Sequence, residues 1–397
     1  MPNAELARKV TLPLLTFYGL GTILGAGIYV LIGEVTLRAS TLAPFAFGVS
    51  AIIASLTAYS FARLSSMFPR SAGEAAYTLE AFKSKRLSVF VGLSVVLIGT
   101  VSAATMVRGF TGYLISIVSL PEMVVILGAI IFITALSIWG IKQSVMIASI
   151  ITVIEIGGLL FVILVAFEPE QLSSFTLSLP ETKTEIIPIV FFAAFISFYA
   201  YIGFEDIVNV AEETINPSRI LPLAILFSLI ISTVLYIVLS VVCTVFVPAS
   251  IFEQSEAPFA AIVEFHGFNP AIMVAISVIA IINGALVQQI MAARVLYGMA
   301  NQKYFFSVFG LVHPKTHTPA IATLFIGALI LILSMLLDLV TLAEITSAIT
   351  LVIFMVVQAS LIKVSYKIKP VMSLDILVPF SGIMLNITLL YFGILKI

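Results

Sequence analysis

Three carboxyl groups stand inside runs of sequence that are otherwise apolar. Glu155 lies in TVIEIGGLLFVI, and Glu205 and Asp206 close the stretch FYAYIGFED (198–206). A charged side chain at the centre of a bilayer costs about 2.5–3.5 kcal/mol on insertion scales, which makes such residues functional candidates. A carboxyl that loads and releases a proton is a coupling element; one hydrogen-bonded between helices is structural. Both readings stand for Glu155, which falls near mid-bilayer at about 1.5 Å per residue. Asp206 reads equally well as the residue that brings its helix to the membrane surface.

Backbone groups supply a second kind of chemistry. In GTILGAGIYVLIGEV (21–35), Gly21, Gly25 and Gly27 fall within seven positions of one apolar run. Glycine weakens a helix by roughly 1 kcal/mol relative to alanine. Gly21 and Gly25 form a GxxxG pair, which serves close helix packing. Unwinding at Gly25-Ala26-Gly27 would instead free N–H groups to meet a carboxylate at the positive end of a half-helix. The aromatics around Gly203 in FYAYIGFED suit a lid and wall for a bound solute. Asn283, Gln288 and Gln289 are uncharged polar groups in a later apolar run, and Asn283 is the deepest of them and a possible polar site residue.

The elements that position these residues follow from composition. Of 397 residues, 61% are hydrophobic and 10% charged, against about a quarter charged in soluble domains. Such a surface faces lipid, where only helices and closed barrels satisfy the backbone. Barrel strands alternate over about ten residues, whereas these runs last about twenty, the length of a spanning helix. The expected fold class is an all-α polytopic membrane protein. Eleven apolar segments fall at about 12–35, 41–67, 87–118, 121–139, 144–167, 186–210, 219–247, 271–299, 319–337, 340–362 and 374–396.

Lysine and arginine set the expected orientation. With a cytoplasmic N-terminus, all but Arg38, Arg108, Lys183 and Lys396 of the 19 basic residues gather on the cytoplasmic side. Eleven spans then place the C-terminus outside. The first apolar run, broken by glycines, does not read as a cleavable signal. A single cysteine, Cys243, supplies no disulfide framework or thiolate metal site and reads as packing. His313 and His317 have helical metal spacing, but Pro314 and Pro319 argue against a helix. No metal, cofactor or nucleic acid is expected, and nothing resembles a phosphate-binding loop, so transport would be driven by an ion gradient or by exchange. Asn386-Ile-Thr388 matches a glycosylation pattern but lies in an apolar run and reads as chance.

Segments 1 and 6 are both interrupted, and five spans separate them, so the second block enters the membrane inverted. Paired interruptions of this kind point to an inverted-repeat transporter and to its binding site.

Four stretches resemble the amino acid–polyamine–organocation (APC) superfamily: GAGIY, YSFARLSSMFPRSAGEAAY (59–77), YIGFEDIVNVAEETINPSRILPLAI (201–225) and ARVLYGMANQ (293–302). The resemblance covers about residues 10–365. It implies a LeuT-type fold, a 5+5 inverted repeat with about 11 transmembrane helices and with helices 1 and 6 broken. Residues 1–167 would form the first repeat, 168–365 the second, and 366–397 a peripheral eleventh helix. It implies that a substrate carboxylate meets N–H groups of Gly25, Ala26 and Gly27. The amino group would meet carbonyls of Ile23, Tyr199 and Ile202, with Ala200 and Gly203 completing the second break. Tyr199 falls where some members place an aromatic gate, and Glu205 where related transporters carry an acid tied to proton response. Many members have twelve spans rather than eleven. A proton-coupled member type carries lysine at position 155, so Glu155 reverses that charge, and the alternative is proton or cation binding at the carboxyl itself.

The expectation is a secondary amino acid transporter of the plasma membrane, working by alternating access, with proton-coupled uptake through Glu155 and Glu205 and neutral amino acids as substrates, or cationic ones or polyamines if Glu205 stays ionised. Two alternatives remain open at this stage. One is an exchanger of an amino acid for its metabolite, or of polyamines; the other is a receptor or accessory subunit that binds without translocating. An intramembrane enzyme is disfavoured because no catalytic pair or metal set shows at membrane depth. The sequence leaves the oligomeric state open.

Overall fold

In a computed structural model, residues 8–25, 27–69, 73–139, 145–172, 183–366 and 373–395 are described. Among them the regular structure is helical, and the sole β feature is an isolated bridge between Val10 and Thr214. The first apolar segment is two helices, α1 (Leu12–Leu24) and α2 (Gly27–Ala39). After these come α3 (Ala43–Met67), α4 (Gly73–Phe82), α5 (Lys85–Ile115), α6 (Glu122–Trp139), α7 (Val145–Ala166) and the short α8 (Pro169–Leu172). The second half holds α9 (Lys183–Phe198), α10 (Pro217–Phe246), the short α11 (Ala249–Glu253) and α12 (Pro258–Phe265), α13 (Ala271–Asn301), α14 (Ala320–Leu336), α15 (Leu339–Ser365) and α16 (Leu374–Leu395). Each of the eleven apolar segments corresponds to a helix or to an interrupted pair. The chain is an all-α polytopic membrane protein: among the described residues nine spans are long and apolar enough to cross a bilayer, and Leu12–Leu24 and Ala320–Leu336 are shorter apolar helices.

Lipid gives helices no hydrophobic reason to associate, so small residues and buried polar groups hold the bundle together. α13 packs along α5, and α10 along α3. Serine and threonine hydroxyls tie helices across the interior. Ser50 in α3 donates to the Ala194 carbonyl of α9 at 2.7 Å, and Ser228 in α10 donates to the Thr16 carbonyl of α1 at 2.9 Å. Gln289 in α13 donates to Thr134 of α6 at 2.8 Å, the interhelical bond expected of it. Asn386 is buried in α16 and donates to Gln358 at 3.0 Å, in keeping with a chance glycosylation match. Cys243 is buried within α10. His313 and His317 lie outside any helix, as the prolines require.

Segment 6 is not one continuous α-helix. α9 stops at Phe198, a 3₁₀ turn covers Tyr199–Tyr201, Ile202 is extended, and Gly203 takes φ 127°. Phe204–Glu213 then continues as a 3₁₀ helix of ten residues, where more than three or four in a row is uncommon. With three residues per turn, Phe204, Ile207 and Val210 share one buried face, and Glu205, Val208 and Ala211 another. This tighter winding also overturns one reading of Asp206. It does not reach a surface: it is 3% exposed and accepts from Gln288 of α13 at 3.4 Å.

The 248–270 connection is more than a loop. α11 and α12 fold back against α2, with Phe252 and Phe259 buried and the Phe259 ring edge-on to Tyr29 at 5.4 Å. At the opposite end of α1, Lys9 and Val10 donate to the Glu213 carbonyl at 2.9 and 3.0 Å, and Ile215 donates back to Val10 at 3.0 Å. The chain entering segment 1 is thereby laced to the chain leaving segment 6.

Candidate functional site

The first break begins where α1 ends. Gly25 keeps a helical conformation, and its N–H donates to the Gly21 carbonyl at 3.0 Å. That N–H therefore closes the last turn of α1 and becomes available to a ligand only if the turn opens. Ala26, the centre of the expected carboxylate site, lies outside the described residues. α2 starts at Gly27, so the N–H groups of its first turn have no partner within the helix.

The second break lies directly against the first. A Cβ built on Gly27 would stand 2.2 Å from Cα of Ala200, and one on Gly203 would stand 2.4 Å from the Thr22 carbonyl oxygen. Only glycine permits either approach, and at Gly203 the positive φ demands it as well. The Thr22 hydroxyl lies 2.9 Å from the Gly203 carbonyl of the second break and 2.9 Å from the Gly19 carbonyl of its own helix, so its one proton is shared between the two.

Tyr236 of α10 closes the same junction from the side. Its hydroxyl lies 2.9 Å from the Ile23 carbonyl and 2.9 Å from the Ala200 carbonyl. A hydroxyl has one proton to donate, so two carbonyls share a single donor here. Ile23 is among the carbonyls that the resemblance implies; the Tyr199 carbonyl accepts from the N–H of Ile202 at 3.2 Å. The Tyr199 side chain crosses to α5, where its hydroxyl meets the Ser102 hydroxyl at 3.1 Å.

Glu155 reaches the first break from α7. A methyl group at Gly25 would lie 3.8 Å from its Oε1 and 3.7 Å from the Ala280 carbonyl of α13. The residue is 1% exposed, and neither carboxyl oxygen has a hydrogen-bond partner among the described residues. Its backbone is held, because the Tyr29 hydroxyl donates to the Glu155 carbonyl at 3.0 Å. Leaving both oxygens of a buried carboxyl unpaired is costly, so the position is built for something other than stability.

Glu205 is differently placed. Its Oε2 accepts the Gly203 N–H at 2.8 Å, so this carboxyl braces the turn of the second break. Asn283 lines a cavity of about 20 Å³ together with Tyr18, Gly21, Thr22, Met106 and Gly284. That space suits about one water. An amino acid enters only if the surrounding helices part. On this geometry the sequence-derived residues Ile23, Gly25, Gly27, Ala200, Gly203, Glu155 and Asn283 gather around one junction. Tyr199 and Glu205 act on its edges. Thr22 and Tyr236 complete it, and no pattern in the sequence distinguishes a site hydroxyl from the many others in these helices.

A family model described as "Amino acid permease" matches residues 11–396. Similar curated proteins include the cationic amino acid transporter 3, mitochondrial, of Arabidopsis thaliana, 29% identical over 397 residues, covering 93% of this chain and 64% of that protein. The branched-chain amino acid permease BcaP of Bacillus subtilis is 28% identical over 380 residues, covering 88% of this chain and 79% of the permease. The methylthioribose transporter of the same bacterium is 28% identical over 411 residues, covering 95% and 85%. The chain thus spans just under two thirds of the length of the first of these relatives and more of the other two.

Proposed function

We propose, on the premise that this chain belongs to the amino acid permease family, that it is a secondary amino acid transporter working by alternating access with proton-coupled uptake. Residues 1–167 and 168–365 act as inverted repeats, 366–397 is peripheral, and the N-terminus lies in the cytoplasm of a cell bounded by this membrane. The observation that carries the reading is the contact of the two breaks, Thr22 to Gly203 and Gly27 to Ala200, with the unpartnered carboxyl of Glu155 at the first.

A zwitterion suits that junction. Its carboxylate goes to the N-terminus of α2 at Ala26 and Gly27, where N–H groups and the helix dipole converge. Its ammonium goes to the Ile23 and Ala200 carbonyls, which now share the one proton of Tyr236. An ammonium has three donors where the hydroxyl has one. Substrate entry therefore displaces Tyr236 and parts the helices, which is a step toward the other open state. Tyr199 and Ile202 wall the side-chain pocket. Glu155 and Glu205 are the carriers of the coupling proton, and the bond from the Gly203 N–H makes the ionised form of Glu205 the one that braces the second break.

Neutral amino acids fit better than cationic ones at the second break, because Glu205 is committed to Gly203 and Asp206 to Gln288. One observation favours the cationic alternative: both oxygens of Glu155 are free to pair with a second positive charge. Uptake of labelled amino acids into proteoliposomes under an imposed pH gradient tests the proposal. Accumulation that collapses with the gradient supports it; saturable binding without uptake would make the chain a receptor instead.

A further inference from the structure

A separate groove runs along the outside of the bundle between α3 and α10, with a volume of about 780 Å³. It forms because the facing side of α3 is small: Ser55, Ala58, Ala62 and Ser66 recur at helical spacing and leave the space that larger side chains would fill. The α10 wall is apolar, and Leu226, Ile230 and Val234 are each half or more exposed toward the lipid side. At one end, where α3 finishes and α10 begins, the lining turns polar with Ser66, Ser218, Arg63 and Arg219.

The two arginines are not equivalent. Arg63 forks onto Asp375 of α16, Nε to Oδ1 at 2.8 Å and Nη2 to Oδ2 at 2.9 Å, and the Tyr59 hydroxyl donates to the same carboxylate at 2.5 Å. That charge is balanced. Arg219 is exposed, and its side chain has no hydrogen bond or ion pair among the described residues. The mouth of the groove therefore carries one uncompensated positive charge beside two serine hydroxyls, at the depth where a spanning helix starts.

We propose that this groove binds an anionic phospholipid, its phosphate held by Arg219, Ser218 and Ser66 and one acyl chain lying along Leu226, Ile230 and Val234. Both halves of the ligand are called for. A soluble anion would use the mouth alone and make no use of the apolar trough, and a zwitterionic lipid brings its own cation against Arg219. Basic pockets between spanning helices bind anionic headgroups on the same principle. Tyr59 and Arg63 line the groove and hold Asp375 of α16, so an occupied groove lies beside that latch. The inference needs only that the chain lies in a membrane and is independent of which solute it carries.

Native mass spectrometry of the detergent-purified protein, titrated with phosphatidylglycerol or phosphatidylcholine, tests the assignment. The expected result is preferential retention of one phosphatidylglycerol by about fivefold, the value of a single basic residue at the surface. Arg219→Gln is expected to erase that preference and Arg219→Lys to keep it. Ile230→Trp, which fills the trough, is expected to reduce binding of both lipids. Millimolar inorganic phosphate should leave the lipid in place. Equal retention of the two lipids by the native protein, an Arg219→Gln variant that still prefers phosphatidylglycerol, or displacement by inorganic phosphate would each overturn the proposal.

Discussion

The Thr22 hydroxyl reaches the Gly203 carbonyl across 181 positions of sequence, at 2.9 Å, and shares its one proton between that carbonyl and the Gly19 carbonyl of its own helix, so the interruption of the first segment lies in hydrogen-bond contact with that of the sixth. Neither interruption could be packed this closely with a side chain present, since the same contact leaves 2.4 Å between a Gly203 Cβ and the Thr22 oxygen.

Gly203→Ala is expected to disable the protein. The φ of 127° alone costs a side chain about 1–3 kcal/mol, and the clash is with backbone, which cannot swing aside. Gly27→Ala should behave likewise, and Ala200→Gly should fail to rescue it because the opposing atom at 2.2 Å is Cα rather than Cβ. Gly128→Ala, with nothing within 4 Å of its Cβ, is the neutral control. Uptake and thermal unfolding of the four variants check the set.

Tyr236→Phe removes the one donor shared by the Ile23 and Ala200 carbonyls. An unsatisfied buried acceptor costs about 1–3 kcal/mol, so the melting temperature without substrate should fall. A substrate ammonium restores the lost donors, and the variant should therefore gain more thermal stabilisation from saturating substrate than the native protein does. Equal ligand-induced shifts in the two proteins would remove Tyr236 from the substrate site.

Glu74, in α4 between two spans, has its carboxyl pushed by burial from 4.5 to about 7. A raised pKa in the folded state means that its contribution to stability is complete below about pH 4.5 and lost as pH rises through about 7. Glu74→Gln should flatten that part of the curve and leave the variant more stable than the native protein at pH 8. Melting temperature against pH, taken as the difference between the two proteins, checks the effect.

Much of this was readable from residue order, and the rest was not for identifiable reasons. The eleven apolar segments follow from length and lipid chemistry, and the glycines at 25, 27 and 203 point to both breaks because they recur in two segments five spans apart, which helix packing at Gly21 and Gly25 alone does not call for. Glu155 stood out as a carboxyl in hydrocarbon. Thr22 and Tyr236 did not, because a hydroxyl on a membrane helix has the same local pattern whether it faces lipid, its own helix or a distant carbonyl. The latch from Arg63 to Asp375 joins residues 312 positions apart, a pairing that only the packed bundle makes visible. The 3₁₀ winding of Phe204–Glu213 was equally hidden, since an apolar run specifies burial and leaves the pitch open.

Glu155 carries the coupling claim, and substrate-driven proton influx into proteoliposomes tests it most directly. The native protein is predicted to acidify the lumen only when its amino acid is supplied outside. Glu155→Gln, which keeps the shape of the side chain, is predicted to bind substrate by thermal shift but to take it up without regard to a pH gradient. Coupling that survives in Glu155→Gln, or native uptake indifferent to the gradient, would contradict the account.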